Sequence, residues 1–161
     1  GKSAIVIRFV TENFVEEHDP TIEDLYHSYH VCDDEPIMLS ILDTAGGEEY
    51  VKTLGNQWIR ESEIFVLVYA VDSPLQSAST TTNTPFQQCE TWRDKILDVK
   101  KTRRAPIILV ANKCDVNEED RTITESKGKQ LADDWECPYI ETSALTGQGL
   151  QELFDEVVNQ Y

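Results

Sequence analysis

The sequence predicts an α/β fold, a mainly parallel sheet with helices on both faces, and three observations point to it. Residues 64–71 and 107–111 are near-continuous apolar runs, the pattern of parallel strands buried on both faces. Leu150, Leu153, Phe154, Val157 and Val158 recur at i, i+3, i+4, i+7 and i+8 and form one helical stripe. Strand-like and helix-like segments alternate along the chain, which implies right-handed βαβ crossovers.

Taken in order, residues 3–10 are mostly apolar but include Arg8, and periodicity leaves both helix and strand open there. The runs 25–31 and 36–42, joined by Asp33-Asp34-Glu35, predict a hairpin. Residues 64–71 and 107–111 are the next strands, 138–142 a shorter one, and 87–100 and 124–135 weaker helical patterns. The Ser/Thr-rich stretch 73–85 has little apolar content and reads as a mobile surface loop. Ligands of such sheets bind beyond the carboxyl ends of the strands, so the loops after Leu42, Val71, Ala111 and Thr142 are the expected site.

The 161 residues, 40% of them apolar, are enough for one ordinary domain with a sizeable core. Thirty acidic residues against fourteen basic give a net charge of −16, which argues against sequence-independent binding to nucleic acid or an anionic membrane. A basic protein partner is the natural complement, and the plain alternative is a solvated acidic surface. Cys32, Cys89, Cys114 and Cys137 lack metal-site spacing, so reduced thiols and a cytoplasmic location are expected. No apolar run nears the roughly 20 residues that span a bilayer, and no signal peptide is present. Residues 157–161 carry no prenylation box; a lipidated tail holding the protein at the inner face of the plasma membrane would lie beyond this sequence.

Four motifs carry chemistry. Gly1-Lys2-Ser3 has the form of the end of GxxxxGK[ST], in which loop amides cradle phosphates, the lysine neutralises β/γ charge and the hydroxyl ligates Mg²⁺. Asp43-Thr44-Ala45-Gly46 follows the second hairpin strand, where a carboxylate can hold a Mg²⁺ water and a glycine can approach a γ-phosphate. Asn112-Lys113-Cys114-Asp115 follows strand 107–111, and its aspartate can accept two hydrogen bonds from the N1–H and 2-amino groups of guanine, a pairing adenine lacks. Glu141-Thr142-Ser143-Ala144 closes the last short strand and offers amides to the guanine oxygen. Each is common alone; four in this order, each at the expected place beside a strand, point to a guanine-nucleotide site.

With these motifs the chain resembles the Ras family of small GTPases. Residues 15–26 (Val-Glu-Glu-His-Asp-Pro-Thr-Ile-Glu-Asp-Leu-Tyr) look like switch I and residues 43–50 (Asp-Thr-Ala-Gly-Gly-Glu-Glu-Tyr) like switch II, so the resemblance covers the chain. It implies a P-loop GTPase domain over 1–161, with a six-stranded, mainly parallel sheet and five helices. Residues 3–10 would then be the first helix, and the family's central first strand and loop glycines would precede Gly1. It implies GTP or GDP as ligand with Mg²⁺, held by Ser3, Thr21 and Asp43. Gly1, Lys2, Ser3 and Ala4 would surround the phosphates with Ala45 and Gly46, Phe14 would pack against the guanine, and Val15 and Glu16 would border the ribose. Asn112 would brace the base pocket, the Lys113 stem would lie across the base, Asp115 would read it, and Ser143, Ala144 and Leu145 would complete it. Lys2, Thr21, Gly46 and position 47 would serve hydrolysis. Asp19, Pro20, Ile22, Glu23, Asp24 and Tyr26 would meet effector proteins with a basic edge. An exchange factor and a GTPase-activating protein are the other implied partners, and nucleic acid is not.

The chain departs from the family at four places. Gly47 stands where the water-orienting glutamine is expected, Leu145 replaces a lysine, His18 replaces a tyrosine, and the loop 73–85 is long. Without that glutamine, hydrolysis should be slow with or without an activating protein. The competing readings are a non-hydrolysing effector ligand, which Gly47 would suit, and an ATP-using P-loop enzyme, which would leave residues 112–115 unexplained.

Overall fold

The computed structural model describes residues 1–15, 21, 23–32, 35–45, 55–73 and 84–161. In chain order these form α1 (Lys2–Thr11), β1 (Glu23–Cys32), β2 (Glu35–Thr44), α2 (Gly55–Glu61), β3 (Phe65–Ala70), α3 (Pro85–Lys100), β4 (Ile107–Asn112), a 3₁₀ turn (Glu118–Asp120), α4 (Glu125–Trp135), β5 (Tyr139–Thr142) and α5 (Leu150–Asn159). The α/β expectation holds, and residues 3–10 are helical. The 73–85 loop falls largely outside the described residues.

Strands β3, β4 and β5 form a parallel sheet in the order β3-β4-β5, and β1 and β2 form an antiparallel hairpin. The sheet expected as one piece is thus two among the described strands, because no ladder joins β2 to β3. Every residue of β4 is buried. Its period-two alternation sends Ile107, Leu109 and Ala111 into one core and Ile108 and Val110 into the other. Each such Ile, Leu or Val contributes roughly 1.5–3 kcal/mol by leaving water. The first core also takes Cys89 and Ile96 of α3 and Ala132 of α4, and the second takes Ile5 of α1 and Leu150, Leu153 and Phe154 of α5. Helices therefore cover both faces. The expectation that residues 64–71 are buried on both faces needs correcting: in β3, Leu67 and Tyr69 are buried while Val66 and Val68 are only half so. Among the described strands β3 is paired along one edge, and the face carrying its valines is half-buried.

Local chemistry sets the helix ends. The Thr84 hydroxyl accepts from the Gln87 amide at 3.2 Å while the Gln87 side chain accepts from the Thr84 amide at 2.8 Å. This capping box, with proline at the first turn, starts α3 two residues before the periodicity suggests. Gly128 lets α4 sit hard on the sheet, since an added Cβ would lie 2.3 Å from the Tyr69 hydroxyl.

The hairpin is tied to α5 through its inner face. His30, 4% exposed, places Nε2 2.7 Å from Asp155 Oδ1. Its ring lies beside the stacked pair Phe9 and Phe154.

Candidate functional site

The carboxyl ends of β2, β4 and β5 converge on the first turn of α1. That helix begins at Gly1 without a side-chain cap, so its first amides are open to an anion. Lys2 is half-buried and has no ion-pair partner among the described residues.

Ser3, Thr21 and Asp43, far apart in sequence, meet here. Ser3 Oγ is 2.8 Å from Thr21 Oγ1, and Thr21 Oγ1 donates to Asp43 Oδ2 at 3.4 Å. Asp43 is 2% exposed, and its other oxygen, Oδ1, is buried with no hydrogen-bond partner. A buried carboxylate oxygen is costly to leave unsatisfied. Two hydroxyls and one carboxylate are hard oxygen donors, too few to enclose an ion but suited to Mg²⁺ that keeps waters and phosphate oxygens.

On the other flank, Asn112 is 2% exposed, and its Oδ1 accepts from the Thr142 hydroxyl and the Ala144 amide, both at 3.2 Å. It thereby locks the end of β4 to the loop after β5. An added Cβ on Gly1 would lie 2.7 Å from Asn112 Nδ2, so the start of α1 rests against the same amide.

Lys113 has a left-handed backbone, φ 67°, uncommon for a residue with a side chain. Its Nζ lies 2.7 Å from Asp72 Oδ2. Asp115 is exposed, with no hydrogen-bond partner among the described residues, leaving both oxygens available. The Ser143 hydroxyl accepts from the Thr146 amide at 3.0 Å, Ser143 and Ala144 are buried, and Leu145 is 53% exposed. Gly149 holds this turn behind β5: its φ is +71°, and an added Cβ would lie 2.0 Å from the Glu141 carbonyl oxygen.

Phe14 packs against the second core and Val15 is exposed beside it. Ala45 follows β2. Glu16, Asp19, Pro20, Ile22, Gly46 and Gly47 lie outside the described residues. Glu23 and Asp24 are exposed at the start of β1 and Tyr26 is half-buried; burial, then the charges of Asp24 and Asp43, raise its phenol.

Sequence reasoning missed two supports. Asp72, in the turn two residues after β3, pairs with Lys113; only the loop was expected there. Arg121 lies between the 3₁₀ turn and α4, where its Nη2 donates to Glu141 and its Nε to the Ile123 carbonyl at 3.1 Å. Tyr139 adds a 2.7 Å bond to the same Glu141 oxygen, and Tyr69 lies 3.4 Å from Tyr139. Burial pushes the Tyr69 phenol up to about 12, so this cluster remains a fixed brace between the loop after β4 and β5 at ordinary pH. Cys114 on that loop is likewise raised, by burial and then by Glu141 and Asp115.

The sequence model of the Ras family matches residues 1–161, so the chain belongs to the Ras family, small GTPases that switch between GTP and GDP with Mg²⁺.

Proposed function

We propose that this chain is a guanine-nucleotide switch of slow turnover. In this reading Lys2 and the first amides of α1 hold the phosphates, and Ser3, Thr21 and Asp43 hold Mg²⁺. Asn112 and Lys113 shape the base pocket with Ser143 and Ala144, and Asp115 reads guanine. The observation that carries it is the trio Ser3, Thr21 and Asp43, whose second carboxylate oxygen is buried with no hydrogen-bond partner and would be satisfied by a cation. When bound, Mg²⁺ neutralises phosphate charge. Thr21 belongs to the segment that resembles switch I, so its hydroxyl can report whether a γ-phosphate is present.

Asp43→Asn tests the trio. It keeps the shape and removes the charge, and the Mg²⁺ concentration needed to slow GDP release is expected to rise by about 10- to 100-fold. Release as sensitive to Mg²⁺ as in the parent chain would put the ion elsewhere.

Gly47 offers no side chain to orient water, which is why turnover is read as slow; the same residue favours the second reading, an effector ligand that holds GTP without hydrolysing it. Partners would meet the GTP-bound chain at the start of β1, whose outer edge pairs with no described strand and carries exposed Glu23 and Asp24. A partner strand rich in Lys and Arg fits that edge. Glu23→Lys is expected to slow association of the GTP-bound chain with a basic Ras-binding domain, most strongly at low salt. Nucleotide affinity should not change. Equal association rates across a salt series would remove effector binding from this edge.

A further inference from the structure

The proposed nucleotide site lies at the carboxyl ends of the strands. At the opposite end of the parallel sheet, the segments that lead into β4 and β5 meet α3 and leave a cleft of about 340 Å³. That is room for a small ligand or a few side chains of a partner. Arg93 and Leu97 line it from α3, Arg103, Arg104 and Pro106 from the approach to β4, and Trp135 from the end of α4.

The charge here is opposite to that of the chain. The net charge is −16, yet six of the fourteen Lys and Arg residues fall between positions 93 and 104. Four of the six are engaged: Lys95 lies over the Trp92 ring, Lys100 donates to the carbonyls of Arg60 and Ser62, Lys101 pairs with Asp98, and Arg104 pairs with Glu136. Arg93 and Arg103 have hydrogen bonds to spare. The Arg93 side chain is 26% exposed and its guanidinium carbon lies 5.3 Å from the centre of the Trp135 ring. The neighbouring Asp94 carboxylate is 3.6 Å away, past hydrogen-bond length. Arg103 is exposed and has no partner among the described residues. A guanidinium stacked on an indole keeps its edge donors, so two unfilled forks of N–H groups line one cleft.

We propose that this cleft binds an acidic segment of a partner protein, with carboxylates on Arg93 and Arg103 and an apolar side chain against Leu97, Pro106 and Trp135. A carboxylate accepts two parallel N–H bonds from an arginine fork, which is the geometry both residues offer. The apolar lining favours a segment with a side chain to bury over a free phosphate, which has none. A nucleic acid or an anionic lipid surface spreads its charge far beyond the cleft and would meet the acids of the rest of the chain. A second copy brings the same −16 and is repelled at long range. A short acidic segment escapes that repulsion, because at 0.1 M salt charges more than about 10 Å away are screened and the nearby arginines decide. The cleft shares no residue with the nucleotide site, so either reading can fail without the other.

The probe is a short labelled peptide with one leucine flanked by glutamates, compared with the same peptide carrying glutamines. Fluorescence anisotropy at about 0.1 M salt should show the glutamate peptide binding at least about tenfold more tightly. Replacing its leucine by serine should weaken it at least about tenfold. Arg103→Glu should weaken binding by at least about tenfold without changing thermal melting or GDP affinity. Lys127→Glu, on α4 and outside the cleft, makes the same change in net charge and should leave binding unaltered. Arg93→Gln with Arg103→Gln should erase the preference for glutamate. Equal affinity for the two peptides, no binding by either, or equal weakening by Arg103→Glu and Lys127→Glu would overturn the proposal. So would self-association lost in Arg103→Glu, which would make a second copy the occupant. Binding of inorganic phosphate or phosphatidylserine vesicles that Arg103→Glu removes, with none of the peptide, would overturn it too.

Discussion

Asp115→Asn is expected to lower affinity for GTP and GDP sharply and to shift preference toward xanthine nucleotides. Asp115 is exposed at the end of the loop that follows β4, with both oxygens free of protein partners among the described residues. The loop is held from behind: the Cys114 amide donates to the Thr142 carbonyl at 3.0 Å, and Arg121 with Glu141 joins it to β5. A carboxylate held there accepts from N1–H and from the 2-amino group of guanine. Two hydrogen bonds to a charged acceptor contribute roughly 3–6 kcal/mol together, so the loss should be on the order of 10²- to 10⁴-fold. The side-chain amide of the variant can accept from N1–H and donate to the 2-carbonyl of xanthine, which restores the pairing. Competition between GDP and xanthosine diphosphate reads the outcome, and unchanged base selectivity would remove Asp115 from base recognition.

Gly47→Gln carries the second large effect. Ras itself is the standing example of a glutamine that orients the attacking water after DxxG, and this chain has glycine there. Misplaced water costs rate because the in-line geometry is sampled rarely; supplying the side chain should speed single-turnover phosphate release by on the order of 10- to 100-fold. GDP affinity should stay the same, since the residue acts on water and not on the base. A rate unchanged by Gly47→Gln would mean another residue orients the water.

The parts of the fold legible in the sequence are those whose burial repeats along the chain. β4 reads as apolar at every position because both its faces are covered, and α5 reads as a stripe because one side is. The hairpin runs further than its apolar residues, to Glu23 and Thr44, because backbone pairing continues where side chains give no signal. The pattern does not reveal α2: over its seven residues the apolar side chains are Trp58 and Ile59, too few to show a period. The separation of the strands into two sheets is hidden too, because pairing partners are not written in a strand's own pattern.

In the site, motifs make Ser3, Thr21, Asp43, Asn112, Lys113 and Asp115 legible, each beside a strand or helix end. Contacts between distant residues stay hidden. His30 and Asp155 are 125 positions apart, Lys113 and Asp72 are 41, and Arg121 and Glu141 are 20. None follows a local rule, and each depends on which strands the crossovers bring side by side.

The central claim is that the loops after β2, β4 and β5, with the start of α1, bind a guanine nucleotide. Its most direct test is displacement of a fluorescent GDP analogue by GDP and by ADP in the presence of Mg²⁺. GDP is expected to displace the analogue at concentrations at least about a thousandfold lower than ADP, because adenine offers Asp115 neither donor. Displacement by ADP at the same concentrations as GDP would contradict it.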